Sequence, residues 1–582
     1  MRLSTLAETF EQLAGVESRL RRVELVATLL RRAAAGERAS IVYLLQAQLR
    51  PPYEGVEVGL GERLLLRAVA EAYDVPLARV TRRLGALGDL GRVAEAVAGD
   101  ADGAPLTVRV AYDTLLAVAE AGGSGSVQRK IALLAALLRR ATAPEAKLLV
   151  RVAQGRLRLG LGDQTILEAA ALAALGSRGE KPVLEHAYNV RSDLGAVVAL
   201  AFTKHARGLA KIGPEVGVPV RPALAQRLPS AEAIIARLGE VQAEPKYDGF
   251  RLQVHRDGNA VWMFSRRLED VTDMFPELAV AVRRELRVRR AILEGEAIAY
   301  DPKTREFLPF QVTMTRKRTS HVTEMSERYP MRLFAFDILL AGRRNCLPDS
   351  QRDRTRRLRA ALRTNARSTV MATDAVVASD AKSLQRYFDT MIERGLEGVL
   401  AKRLDAPYRA GARGFDWVKL KRAYQSKLRD TVDVVLVGYL RGRGKRSALG
   451  IGSLVGAVYD PDHDRFRTVA KIGSGLTDAA WKAIRKQLDA DATASRPARV
   501  DSILTPDVWV EPRYVVEVLA DEISRSPFHT CGRHGDEPGY ALRFPRLVSM
   551  RADKAPADAT TEREIVQMYA QQRRRGRAGA KV

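Results

Sequence analysis

The spacing of apolar residues predicts that the first third of the chain is helical. Up to about residue 205, apolar side chains recur every three or four positions, as at Leu6, Phe10 and Leu13. That spacing places them on one face of an α-helix. Breaks at Pro51-Pro52 and at Gly122-Gly-Ser-Gly125 divide the pattern into short segments. We therefore expect an all-α domain built from many short helices.

Beyond this part, apolar residues alternate with polar ones, which predicts strands. Phe250-Arg-Leu-Gln-Val254 alternates in this way in the central part of the chain, and a period of two is that of a strand. Leu333-Phe-Ala-Phe-Asp-Ile-Leu-Leu340 is an apolar strand with a polar break at Asp337. After about Lys427, short strand-like runs such as Val432-Asp-Val-Val-Leu-Val-Gly-Tyr-Leu440 are separated by glycine corners. This pattern predicts a small closed β-barrel of the OB type.

Prolines and glycines between Ile212 and Pro222 favour extended chain over helix, so we expect a domain boundary near residue 212. The predicted fold is multidomain, with an all-α domain at 1–212, an α+β domain at 213–426 and a β-barrel OB-fold domain at 427–556. The remaining residues, 557–582, are strongly basic near their end. We expect them to form a disordered tail that is attracted to nucleic acid.

The charge balance of the chain predicts a polyanionic partner. The formal net charge is +26, and each phosphate that a folded basic surface neutralises releases counterions. A merely basic protein is the alternative. No apolar run approaches the ~20 residues that span a bilayer, and the N-terminus does not resemble a signal peptide. Cys346 and Cys531 stand in unrelated contexts, which predicts neither disulfides nor a cysteine metal site and favours a reducing cytoplasm.

The candidate chemistry centres on Lys246, within Glu244-Pro-Lys-Tyr-Asp-Gly-Phe-Arg251. A lysine amine attacks phosphorus only after losing its proton, and its ordinary pKa is about 10.4. We therefore expect burial and neighbouring cations to lower the pKa of Lys246. Pro245 and Gly249 favour a strand edge or turn beside a cleft, with Gly249 letting the backbone approach a ligand. Taken alone, a Lys-x-Asp-Gly tetrapeptide is more often a surface turn.

Five downstream segments place further chemistry on predicted strands. Glu294 and Glu296 share one face, because residues i and i+2 point the same way, and such a pair favours a cation or a sugar hydroxyl over solvent exposure at an edge strand. The other candidates are Arg266 at a strand end, Phe336 as a stacking ring or plain core, Glu397 and Lys402 at the two ends of one strand, and Lys419 and Lys421 on one face of another.

Two places in the helical part have the character of phosphate contacts. One is the helix start at Arg129-Lys130. The other is Gly155-Arg156-Leu-Arg158-Leu-Gly160, where glycine-flanked amides stand beside arginines. Amides at a turn or helix start bind phosphate without reading sequence. A solvated helix face and an ordinary turn between helices are equally consistent with these residues.

Taken in order, these segments resemble the motif set of the covalent nucleotidyltransferases, specifically the ATP-dependent DNA ligases. The resemblance spans nearly the whole chain, since the helical part is similar to their DNA-binding domain. The motifs that carry it are Glu-Pro-Lys-Tyr-Asp-Gly-Phe-Arg, Ser-Arg-Arg-Leu-Glu-Asp, Leu-Glu-Gly-Glu-Ala, Phe-Ala-Phe-Asp, Glu-Gly-Val-Leu-Ala-Lys and Trp-Val-Lys-Leu-Lys.

The resemblance implies roles at the matching positions. Lys246 would be the nucleophile that takes AMP from ATP. Glu244 would bind the adenine amine through its side chain or backbone, and Phe336 would stack on the base. Arg251 and Arg266 would contact sugar and phosphate.

The same resemblance implies a metal and a set of phosphate ligands. Glu296 and Glu397 would hold the ribose and Mg²⁺, with Mn²⁺ as a substitute. Arg413, Lys419 and Lys421 would bind the phosphates.

Near the C-terminus, Leu542-Arg-Phe-Pro-Arg546 resembles the last motif of the family, in which Arg543 and Arg546 would orient the departing pyrophosphate. The implied substrate is nicked double-stranded DNA, sealed by a monomer that needs no membrane and acts in the cytoplasm, near the nucleoid. A sliding clamp or repair proteins stay open as partners.

An RNA ligase or a guanylyl-transferring capping enzyme is the nearest rival, and the long helical domain argues against both. A NAD-dependent ligase lacks support because its cysteine zinc module is absent from the sequence. A non-catalytic nucleic-acid-binding scaffold is the rival from another class.

Overall fold

A computed structural model describes most of the chain. Outside the description lie the residues 17, 158, 160, 303–305, 309–311, 313–315, 317–321, 364, 366–367, 422–430, 443–448 and 578–582, together with the side chains of residues 413, 571 and 573–577.

Residues 1–212 fold into short α-helices. Their order along the chain is α1 (Leu3–Gly15), α2 (Arg19–Arg32), α3 (Arg38–Leu45), α4 (Glu62–Ala72), α5 (Leu77–Leu87), α6 (Leu90–Val97), α7 (Val108–Glu120), α8 (Ser126–Arg139), α9 (Ala143–Ala153), α10 (Asp163–Ala174), α11 (Lys181–Arg191) and α12 (Leu194–Ala210). Side chains at the three-and-four spacing, such as Leu6, Phe10 and Leu13, are buried in one common core, as the sequence pattern requires.

Several of these helices begin at a side chain that accepts a backbone N–H. Ser18, Asp89, Thr107 and Asp193 cap α2, α6, α7 and α12 in this way. Such caps satisfy amides that would otherwise lack partners at a helix start. The helix boundaries are therefore encoded locally.

The central domain contains two sheets. Its strands are β1 (Leu224–Arg227), β2 (Val241–Pro245), β3 (Phe250–Asp257), β4 (Ala260–Ser265), β5 (Arg290–Ala299), β6 (Met331–Ala341), β7 (Arg344–Asn345), β8 (Val370–Ala372), β9 (Val376–Ala378), β10 (Gly398–Arg403) and β11 (Arg413–Lys421). Its helices are α13 (Ala231–Leu238), α14 (Pro276–Glu285), α15 (Val322–Arg328), α16 (Gln351–Ala361) and α17 (Ala381–Glu393). One sheet has the order β1-β11-β10-β2-β9, and the other has the order β4-β3-β5-β6-β7 with β8 beside β6.

Each sheet of the central domain buries one face against helices. α13 and α17 supply Ile234, Leu384 and Phe388 to the core of the first sheet. α14 and α16 cover the second sheet through residues such as Leu278 and Leu358. Residues of both sheets, among them Ile292, Leu339 and Trp417, also pack in a shared apolar cluster.

The C-terminal part is rich in strands. In chain order it contains β12 (Val432–Leu440), β13 (Ser453–Asp460), β14 (Arg465–Ile472), α18 (Asp478–Asp489), β15 (Ala492–Thr493), β16 (Val500–Asp501), β17 (Val508–Val510), β18 (Val515–Leu519), β19 (Glu522–Ser526), β20 (Gly539–Arg543), β21 (Arg546–Met550) and α19 (Glu562–Arg577). One sheet has the order β15-β17-β12-β13-β14-β16, with β18 joining β12 to β21, and forms a half-barrel; β19 and β20 pair separately.

The predicted fold class is confirmed: a helical first part, an α+β centre and a strand-rich end. The prediction of a disordered tail is wrong for 562–577, which form α19. The reason is that Ile565 is fully buried in the C-terminal core, with Met568 and Tyr569 packed against the same cluster. None of the described helices has the length and apolar character that a bilayer crossing requires.

The helical and central domains contact each other through the C-terminal end of α11. The backbone N–H of Arg221 donates to the carbonyl of Asn189 at 2.8 Å, and the Arg221 guanidinium lies over the Tyr188 ring. The segment predicted as a linker also pairs with the helical domain at Glu215, through Arg191, and its N–H groups at Gly217 and Val220 donate to side chains of β3.

Candidate active site

Lys246 lies in the connection between β2 of one sheet and β3 of the other. Its backbone N–H donates to the carbonyl of Gly398 at 2.9 Å. A Cβ at Gly249 would lie 2.6 Å from the Ala297 carbonyl, so this glycine permits a close approach to β5. The sequence analysis assigned that approach to a ligand, whereas the structure assigns it to the backbone of a neighbouring strand.

The Lys246 amine is paired with Glu397, and their atoms Nζ and Oε2 are 2.5 Å apart. Burial is the largest single effect and lowers the pKa of Lys246, but the charge and hydrogen bond of Glu397, together with the charges of Glu296 and Asp248, raise the pKa above the ordinary value for lysine. The expectation of a lowered pKa is therefore wrong. The nearest charge is a carboxylate rather than a cation.

Glu397 and Glu296 are the two carboxylates that do most to raise the pKa of Lys246. Burial raises the pKa of Glu296 to about 7, although Lys246 and Arg251 oppose the shift. Among the residues that the structure describes, no group of three or more His, Cys, Asp or Glu could hold a metal. Two hard carboxylates beside a phosphate site are nevertheless the donor set that Mg²⁺ takes, because it keeps several waters and binds substrate phosphates as well. The residues present fit that ion.

Glu294 has a different role from the one predicted for the Glu294/Glu296 pair. It is buried, and it accepts hydrogen bonds from Arg251 at 2.9 Å and from the Tyr408 hydroxyl at 2.7 Å. A register shift between β5 and β6 falls at Glu294 and Gly295. Glu294 therefore holds Arg251, while Glu296 interacts electrostatically with both Arg251 and Lys246.

Arg251 is positioned next to the predicted base-stacking ring. Its guanidinium lies 5.3 Å from the centroid of Phe336. The Arg251 Nε is buried and has no hydrogen-bond partner among the described residues. A buried donor without a partner is costly, and a ribose or phosphate oxygen of a bound nucleotide would satisfy it.

Lys419 and Lys421 lie on the same face of β11 and both approach Lys246. Lys421 pairs with Glu397 at 3.0 Å. Burial and the nearby cations Arg227, Lys421 and Lys246 lower the pKa of Lys419 to about 8. A cation held among cations is stabilised by an anion, and a triphosphate would supply it.

Lys402 is a site residue that the sequence analysis named only as the end of a strand. Its ammonium is fully buried, 2.9 Å from the Glu244 carboxylate and 2.9 Å from the carbonyl of Phe336. It therefore joins the two residues that the resemblance assigns to adenine. The one available signal was a single lysine closing an otherwise apolar strand, since a buried lysine needs a partner.

The Glu244 carboxylate is held in one orientation as a hydrogen-bond acceptor. Besides Lys402, it accepts from Gln242 at 2.6 Å, and the Gln242 carbonyl accepts from Thr355 on α16. Burial raises the pKa of Glu244, and Lys402 opposes this effect. The carboxylate is thus oriented by a buried network that extends to a helix behind the sheet.

Arg543 places the C-terminal domain beside the site. Its positive charge stabilises the Asp248 carboxylate, two residues from Lys246, and its Nε lies 3.6 Å from Glu522. Arg546 pairs with Asp521 at 2.6 Å. Both predicted arginines therefore carry carboxylate partners within their own domain.

Arg266 and Arg413 complete the predicted set. Arg266 lies close enough to Lys419 to lower its pKa, and it lines a cleft of about 370 Å³ between the helical and central domains. Arg413 opens β11, where it is paired with Leu224 of β1, and its side chain lies outside the description.

The predicted DNA contacts in the helical domain fare differently. The Lys130 ammonium donates to the carbonyls of Val58 and Ala119 at 3.1 and 3.2 Å, which favours a structural role over the predicted phosphate contact. The exposed Arg129 donates to the carbonyl of Gly122. Both are thus occupied at the start of α8.

The glycine-rich turn after α9 does not present bare amides. The N–H groups of Gly155 and Arg156 donate to the carbonyls of Val152 and Arg151 at 2.9 and 3.0 Å, because a left-handed glycine closes the helix end. The prediction that these two amides bind phosphate is therefore wrong, although the Arg156 side chain is exposed. Arg158 and Gly160 lie outside the described residues.

Three family models match the chain. They are DNA ligase N terminus at residues 2–171, ATP dependent DNA ligase domain at residues 222–421 and ATP dependent DNA ligase C terminal region at residues 447–554.

Curated relatives match over nearly their whole length. A probable DNA ligase of Dictyoglomus thermophilum is 45% identical over 575 residues, covering 99% of this chain and 98% of the relative. A DNA ligase of Hyperthermus butylicus is 39% identical over 599 residues, covering 99% and 98%. Among solved structures, Pmar-Lig_PreS3 has a TM-score of 0.57 and 16% identity, covering 94% of this chain and 99% of that one. The last likeness concerns the fold alone.

Proposed function

The chain belongs to the ATP-dependent DNA ligase family, which seals nicks in DNA, and from this premise we propose which of its residues perform the reaction. The observation that carries the assignment is the placement of Lys246, at the junction of two sheets, beside two carboxylates and two further lysines. Lys246 is the nucleophile.

The reaction runs in three steps. Lys246 Nζ, once deprotonated, attacks the α-phosphorus of ATP, so that a P–N bond forms, the bond to the β-phosphate oxygen breaks and pyrophosphate leaves. An oxygen of the DNA 5′-phosphate then attacks the same phosphorus and releases the lysine. In the last step the 3′-hydroxyl attacks the 5′-phosphorus, loses its proton and displaces AMP.

The remaining residues bind and orient. Glu244, held by Lys402, accepts from the adenine amine, and Phe336 stacks on the base. Arg251 and Arg266 contact ribose and phosphate.

Charge on the phosphates is neutralised by several groups. Arg413, Lys419 and Lys421 bind the triphosphate, and Arg543 with Arg546 orients the pyrophosphate as it departs. Glu296 and Glu397 would hold Mg²⁺, which when bound neutralises charge on phosphate oxygens.

We further propose a division of labour among the domains. The helical domain and the half-barrel bind duplex DNA through its phosphates, without a sequence preference. The strong positive charge of the chain supports this assignment.

The decisive test is the intact mass of the protein after incubation with ATP and Mg²⁺. A gain of one adenylyl group, followed by its loss and strand joining when nicked duplex is added, is the expected result. GTP should give no adduct. A protein that gains no adenylyl group and joins no strands would refute the proposal.

Lys402 provides a test of adenine recognition. In Lys402→Met, Glu244 loses its buried partner and the Phe336 carbonyl loses its donor, so the KM for ATP in adduct formation should rise about tenfold or more. Arg403→Met, on the neighbouring position of β10, is the matched control. An equal KM in the two variants would contradict the proposed role.

The pKa of Lys419 predicts how nucleotide affinity depends on pH. With a pKa of about 8, Lys419 is charged below that pH and neutral above it, so binding of a triphosphate should weaken as the pH rises. The Kd of α,β-methylene-ATP, measured between about pH 7 and pH 9, should increase over the upper half of that interval. Lys419→Arg stays charged and should flatten the profile, and a profile unchanged by this substitution would exclude Lys419 as its source.

A further inference from the structure

The C-terminal helix α19 holds the β19–β20 hairpin at two points. The Gln572 side chain donates to the carbonyl of Ile523 and accepts from its N–H, both at 2.9 Å. One turn earlier, the Tyr569 ring packs on Tyr540 of β20 with centroids 4.8 Å apart. The amide of Gln572 thus occupies the place that a neighbouring strand would take along the free edge of β19.

This hairpin carries the predicted pyrophosphate-orienting arginine. Ile523 follows Glu522, and across the hairpin Glu522 is paired with Arg543 while Ile523 is paired with Leu542. Glu522 is also the carboxylate within 3.6 Å of the Arg543 guanidinium. Gln572 therefore fixes the backbone one residue away from the group that faces Arg543.

Arg543 and Glu522 interact electrostatically with the segment between β2 and β3 that contains Lys246. The positive charge of Arg543 stabilises the Asp248 carboxylate. The Glu522 carboxylate lies close enough to Asp248 and Glu397 for their charges to raise its pKa. A displacement of the hairpin would therefore move Arg543 relative to the adenylation site. Misplacement by about 1 Å can cost about a hundredfold in rate.

We propose that Gln572 is a positioning residue for Arg543 in the transfer of AMP from ATP to Lys246. The inference rests on the proposed role of Arg543. The Gln572 side chain is exposed, so its removal opens no cavity in the core. Gln572 contacts only backbone atoms of Ile523, so the contact does not depend on the side chains of β19.

The test separates the first chemical step from the last. Single-turnover formation of the protein–AMP adduct depends on Arg543, whereas sealing of a pre-adenylated nick without ATP releases no pyrophosphate. In Gln572→Ala, adduct formation should slow about tenfold, while sealing of the pre-adenylated nick stays within about twofold of the unmodified protein. Gln572→Glu keeps the acceptor and loses the donor. Its rate of adduct formation should lie between those of Gln572→Ala and the unmodified protein.

Gln567→Ala is the matched control, because Gln567 is an exposed glutamine on the same helix. It should leave both rates unchanged. Equal losses in both steps would indicate a general structural role and overturn the inference, as would unchanged adduct formation in Gln572→Ala. Absence of an adduct in the unmodified protein would overturn the proposed function itself, which distinguishes the two failures.

Discussion

The Lys246→Ala variant should form no covalent adduct with AMP when it is given ATP and Mg²⁺. In the proposed reaction the Lys246 amine accepts the adenylyl group, and removal of a nucleophile costs about a thousandfold or more in rate. Intact-protein mass spectrometry measures the result directly. Binding of nicked duplex should persist, because the basic surfaces outside the site are unchanged.

Lys211→Ala is the control for loss of a lysine, since Lys211 is exposed at the end of α12. It should form the adduct at the normal rate. An undiminished adduct in Lys246→Ala would show that another group carries the adenylyl moiety.

The largest effect on stability is expected at Arg354, in the interior of the central domain. Arg354 on α16 pairs with Asp337 at 2.8 Å, and both side chains are 0% exposed. Arg354→Ala leaves the Asp337 carboxylate buried without its cation, which should destabilise the domain by about 3–5 kcal/mol. Urea unfolding and hydrogen exchange at the amides of β6 should both report the loss.

Arg356 on the same helix is the matched control. Its side chain is 74% exposed and pairs with Asp353 at the surface, so Arg356→Ala should change stability by less than about 1 kcal/mol. Similar effects of the two substitutions would mean that burial of the Arg354–Asp337 pair does not govern the stability of the domain.

The position of Arg354 also connects stability to the site. Asp337 adjoins Phe336, whose carbonyl binds Lys402, and Arg354 bonds to Gln351, which donates to Thr355. The buried chain of polar groups continues through Gln242 to Glu244. Fully satisfied networks of this kind rigidify the groups they hold, so the core of the central domain and the Glu244–Lys402 pair form one network.

The pKa of Lys246 is the property for which the sequence-based expectation was wrong. A run of basic residues in order along the chain predicted that cations would surround Lys246. In the folded site Glu397 reaches the amine first and raises its pKa. Which of several charged neighbours lies within ion-pair distance depends on strand pairing, and β10 brings Glu397 to Lys246 across about 150 residues of chain.

The sequence by itself determined the fold class and the order of the motifs, and it singled out Lys246 as the proposed nucleophile. Apolar periods of 3.6 and two report which face of each element is buried, and capping residues such as Asp193 mark where helices begin. These signals are local, so they survive without any knowledge of packing.

Only the tertiary structure decided how the candidates are used. Glu294 is hydrogen-bonded to Arg251, while Glu296 also acts on Lys246, and the closed helix end at Gly155 occupies amides that the sequence left free. Lys402 and Gln572 acquired roles because folding placed them against Glu244 and Ile523. Contacts between residues distant in sequence follow from strand register and packing, and local periodicity carries no information about either.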